Sequence, residues 1–148
     1  MRRVLAFDNL GELIPEVRRL IPGHRTVGQW TLAQVCRHLA GTINGSMDGF
    51  NLRRHRVKRF FLSKRLLRYT YRHGITPGYT VDPKLTPPPH LNLDEEAAGL
   101  EQAVERYRSY RGRLRAHPLF GDLSRQKWDQ LHCFHAAHHL SFVISTDE

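Results

Sequence analysis

Apolar positions recur at helical spacing in four stretches of the chain, and one long interruption separates the first two from the last two. Leu10, Leu13, Ile14, Val17, Leu20 and Ile21 lie on one helical face behind Asn9, which with Glu12 reads as a capping box. Pro15 falls inside this first helix, so either the helix kinks there or it starts at Pro15 after a looser turn; Pro22-Gly23 ends it. Thr31 and Gln34 form a second capping box, opening a helix over Leu32 to Met47 with the stripe Leu32, Val35, Leu39, Ile43 and Met47. Asn92 with Glu95 caps a third helix, predicted to reach about Arg115 on Leu93, Ala97, Leu100, Val104, Tyr107 and Leu114. His117-Pro118 and Gly121 turn the chain, and Ser124 is the expected N-cap of a fourth helix that includes Trp128 to Phe142. The short turn makes helices three and four antiparallel neighbours, while the long link between two and three permits those to run parallel.

That link runs from Gly49 to Asn92. Its first half carries nine Lys or Arg between Arg53 and Arg72, with Val57, Phe60, Phe61, Leu66, Leu67 and Tyr71 spaced for an extra basic amphipathic helix. Such a helix serves as a nucleic-acid patch, a membrane-surface element, a cationic rim over a site for an anionic substrate, or simply a solvated cover on the core. The absence of a nucleic-acid reading motif, and the interleaved Phe60, Phe61, Leu66 and Leu67, argue against nucleic acid. The second half holds Pro77, Pro83, Pro87, Pro88 and Pro89 and is expected to be irregular, a length of loop often used as a lid.

With 148 residues the chain is expected to form one domain over 1–148. Its 23 basic side chains exceed 14 acidic ones by nine, which suggests an anionic partner without bearing on the fold. No leader and no bilayer-length apolar run is evident, and two cysteines, Cys36 and Cys133, are too few for a disulfide framework. A cytoplasmic protein is the expectation.

The chemistry lies in the fourth helix, where His132, His135, His138 and His139 fall within one short segment. At about 100° per residue, Trp128, Leu131, His135, His138, His139 and Phe142 lie within about 60° of His135. A lone histidine on an apolar face is usually a satisfied core residue. Several on one stripe are harder to satisfy by hydrogen bonds, because each buried neutral imidazole needs both a donor and an acceptor, whereas a metal takes a lone pair directly. His135 can share an ion with His139 or with His138, and spacing does not choose. A third ligand must come from elsewhere. His38, at the edge of the second helix's stripe, suits a groove between helices and equally a half-exposed surface position.

Trp30 ahead of a helix bearing His38, together with a last helix reading H-x-x-H-H from His135 to His139, resembles the DinB-like (YfiT-like) superfamily of four-helix bundles. The segment HPLFGDLSRQKWDQLHCFHAAHHLSF is similar to a branch of it known only as a domain of unknown function. The resemblance implies an all-α four-helix bundle, here with a long crossover between helices two and three that contains the extra basic helix. It also implies a divalent metal, zinc, nickel or similar, on His38, His135 and His139. His132 and His138 are then candidates to line the substrate pocket; no catalytic residue is identified. Cys36 and Cys133 point about 160° away from the ligands two positions on, as packed apolar residues would. What the superfamily implies for activity is a metal-dependent hydrolase or a transferase for a low-molecular-weight thiol, with a small-molecule substrate and a homodimer as expected partners. The alternative is a non-enzymatic helical module that binds nucleic acid or a membrane surface through residues 53–72.

Overall fold

The computed structural model describes residues 1–50, 59–75 and 86–146, with the backbone alone over 59–64. Five α-helices occur among them: α1 (Leu13–Leu20), α2 (Leu32–Asp48), α3 (Arg59–His73), α4 (Leu93–Ser109) and α5 (Arg125–Leu140). Two short strands, β1 (His24–Thr26) and β2 (Val143–Ser145), pair antiparallel with His24 opposite Ser145 and Thr26 opposite Val143. The described residues are thus predominantly helical, as expected, with one small two-stranded sheet that the apolar spacing did not mark. The start of the predicted basic helix, residues 53–58, and most of the proline-rich stretch, residues 76–85, lie outside the described residues.

Helix α2 runs through the middle of the described core. Both halves of its capping box form: the Gln34 N–H donates to Thr31 Oγ1 at 3.2 Å, and the Thr31 N–H donates to Gln34 Oε1 at 2.9 Å. Leu32, Val35, Cys36, Leu39, Ile43 and Met47 are buried, and Gly49, at φ +101°, ends the helix in a conformation that suits glycine. Arg37 meets Glu96 at 3.6 Å near the starts of α2 and α4, while Arg106 meets Asp48 at 2.6 Å near their ends. The two helices therefore run parallel. Helix α5 runs against both, because Tyr107, near the end of α4, donates its hydroxyl to Asp129, near the start of α5, at 2.7 Å.

Three helix ends differ from expectation. Pro15 sits in the first turn of α1, where its missing N–H costs nothing, and a 3-10 turn (Leu10–Glu12) precedes it. There the Asn9 side chain accepts from the Gly11 N–H, and Glu12 accepts from the Asp8 N–H, so the expected box is displaced by a residue. Helix α4 stops at Ser109 instead of Arg115. The Arg125 guanidinium donates to the Tyr107 and Tyr110 carbonyls at 2.7 and 3.0 Å and lies 4.1 Å over the Tyr107 ring, capping the last turn from outside. Residues 110–116 leave the helix, and the Arg115 N–H donates to the Ser46 carbonyl at the end of α2. The histidine helix likewise ends at Leu140, so Phe142 lies beyond it.

Candidate metal centre

His38 projects from the second turn of α2, and His135 and His139 from successive turns of α5. Their Nε2 atoms converge: His135 Nε2 lies 3.1 Å from His38 Nε2 and 3.0 Å from His139 Nε2. One ligating nitrogen from each of the three lies within 4.8 Å of the others, the only such group of His, Cys, Asp or Glu among the described residues. Protons satisfy this arrangement poorly. A neutral imidazole nitrogen carries either a proton or one lone pair, so His135 Nε2 makes a good hydrogen bond with only one of its two neighbours. One cation accepts all three lone pairs at once, and ligands at about 2.0–2.1 Å around a tetrahedral centre stand roughly 3.3 Å apart.

Burial and the neighbouring histidines keep His135 and His139 neutral. Burial, then the nearby His38 and His138, lowers His139 to about 2, and burial with the other histidines holds His135 well below the usual range. The lone pairs of these two rings are therefore available to a metal at neutral pH. Each of the three is nevertheless partly accessible to solvent, as an open coordination site needs and a sealed structural one does not.

The remaining candidates occupy other places. His132 is 3 % exposed, its Nε2 is 3.2 Å from Ser46 Oγ, and it stacks on Trp128 and meets Tyr107 edge-on, a core position away from the cluster. His138 lies edge-on to His139 with ring centroids 5.0 Å apart, half-buried at the margin; burial and then Arg2 lower it to about 4. Burial raises Cys36 to about 12 and Cys133 to about 11, and both are free thiols in the core.

A family model for proteins of unknown function, DUF1569, matches residues 1–146. The chain belongs to this family. Comparison with curated proteins and with solved structures finds no match.

In this DUF1569 chain one residue outside both histidine helices ties them together. Trp30 lies flat against His139, 5.2 Å between centroids and 5° between planes, and meets His38 at 4.9 Å. The sheet puts it there: β1 pairs with β2, directly after α5, and the Val27 N–H donates to the Phe142 carbonyl at 2.9 Å. Gly28 permits the close approach, since a Cβ there would stand 3.1 Å from Phe142. Gln34, on the face of His38 one turn earlier, also donates from Nε2 to the Pro87 carbonyl at 3.2 Å and so fixes the end of the proline-rich stretch beside α2. The Gln34 contact and the packing of Arg2 over Phe142 leave no local signal in the sequence. Trp30→Ala is expected to weaken zinc affinity by about 10–100-fold, the usual cost of losing a ligand-orienting neighbour, with little change in helix content; competition with a chromogenic chelator measures it.

Proposed function

We propose that this DUF1569 protein is a DinB-like metalloprotein that holds a divalent first-row ion on His38, His135 and His139 and acts on a small-molecule substrate. The observation that carries this reading is the meeting of three Nε2 atoms at 3.0 and 3.1 Å, a geometry that suits one cation and not a set of shared protons. The parallel pair α2 and α4, the antiparallel α5 and the long connection ahead of α4 support the four-helix arrangement that the resemblance implies. When bound, the ion supplies a Lewis-acidic centre for a nucleophile such as water or a low-molecular-weight thiol, which fits a hydrolase or a thiol transferase.

The protein's own residues set the terms of that chemistry. Trp30 covers the His139 face of the site and holds His38 and His139 in register. His138, beside His139, offers a ring nitrogen to a substrate at the margin. Neither cysteine competes for the ion, because both thiols are buried and protonated.

Elemental analysis of untagged protein tests the proposal. Wild type is expected to carry close to one zinc, nickel or similar ion per chain, and His38→Ala and His135→Ala to carry none. No metal in wild type, even after incubation with zinc and nickel, would sink the reading. With metal established, chelator-sensitive turnover of thiol and electrophile pairs, set against that of simple esters, separates transferase from hydrolase.

A further inference from the structure

The chain's entire charge surplus lies in one place. Residues 53–72 contain nine Lys or Arg, and no acidic residue occurs between Asp48 and Asp82; elsewhere 14 basic side chains face 14 acidic ones. Part of this segment is α3, and its described end shows how it is presented. Leu67 is buried, and Tyr71 packs edge-on against Phe134 of α5 with centroids 5.3 Å apart, so this face holds the helix to the protein. On the opposite face, about 180° away, Tyr69 is 59 % exposed, with Leu66 beside it 41 % exposed. Arg65 and Arg72 lie within about 60° of Tyr69, Arg68 flanks them, and all three are exposed with no carboxylate partner among the described residues.

We propose that α3 docks the protein on the surface of membranes rich in anionic phospholipid. Arginines around an exposed leucine and tyrosine match a bilayer interface. The guanidinium groups reach lipid phosphates, while the leucine and the tyrosine ring enter the boundary between headgroups and acyl chains. A nucleic-acid backbone would use the same charges but gains nothing from an exposed leucine. Association is peripheral, since no described helix is long and apolar enough to cross a membrane. Each basic side chain near an anionic surface raises partitioning about fivefold, so Arg65, Arg68 and Arg72 together raise it about 100-fold at low salt. This inference is independent of the metal.

Co-sedimentation of the full chain with vesicles of phosphatidylcholine alone, or with about one third phosphatidylglycerol, tests it. Binding to the anionic vesicles only, weakening steeply with salt, is expected. The Arg65→Glu/Arg68→Glu/Arg72→Glu variant should lose about 100-fold or more in partitioning, and Leu66→Ser/Tyr69→Ser several-fold, with unchanged circular dichroism. If the triple variant misfolds, Arg65→Glu and Arg72→Glu singly should each lose about fivefold or more. Equal binding to both vesicle types, or charge reversal without effect, overturns the proposal. So does stronger binding to a single-stranded RNA homopolymer that Leu66→Ser/Tyr69→Ser leaves untouched, which would make α3 a nucleic-acid surface.

Discussion

Zinc added to metal-stripped protein is expected to raise the midpoint of thermal unfolding by about 10 °C, and a chelator to reverse the shift. The size follows from linkage. An ion that binds the folded state alone, present at about 1,000 times its dissociation constant, adds about 4.1 kcal/mol, and each kcal/mol moves the midpoint of a chain of this length by about 2–4 °C. The three candidate ligands come from two helices far apart in sequence, His38 on α2 and His135 and His139 on α5, so the unfolded chain keeps no comparable site. His135→Ala should abolish the shift, because His135 Nε2 is the atom that meets both partners. A wild-type midpoint indifferent to zinc, nickel and cobalt would refute the site. A shift that survives in His135→Ala would place the ion elsewhere.

The metal-free protein should also be acid-labile well above the carboxylate range. Burial, then His117 and Arg125, lowers His132 to about 3; burial with neighbouring histidines lowers His139 to about 2 and takes His135 well down too. All three fall below the unfolded value of about 6.5, so the unfolded chain binds protons that the folded chain refuses. Their stabilising contribution is present above pH 6.5 and is lost as pH falls toward the folded values. Between pH 7.5 and 5.5 each group loses on the order of 1 kcal/mol, a few kcal/mol together; His138, nearer solvent, adds less. Urea titrations with chelator present at the two pH values measure the difference. His132→Phe should remove about a third of it, since the two remaining groups keep their share. Equal stability at pH 7.5 and 5.5 would show that these rings do not enter the folded state as neutral groups.

The sequence by itself determined where the long helices lie and which histidines they carry. Capping boxes and apolar spacing located α2 to within a residue, because a box such as Thr31 with Gln34 is a local bond pattern independent of the rest of the fold. The starts of α4 and α5 were legible for the same reason, each marked by a side chain that caps its own helix. Ends were less so: α4 stops at Ser109 because Arg125, from the next helix, takes its last carbonyls. The strands passed unnoticed, since three residues carry no periodicity and pair only once α5 brings them together. The histidine stripe pointed to a candidate ligand set but left His138 and His139 equivalent on the wheel. Only the tertiary structure separates the two by position. The packing of α2 beside α5 brings His38 to His135 and His139, puts His132 against Ser46 in the core, and leaves His138 at the margin. It also laid Trp30 on the cluster through a sheet contact with the other end of the chain. Helical spacing fixes which side chains share a face, but which of them converge depends on the placement of a second helix, and that is set by the buried core between them.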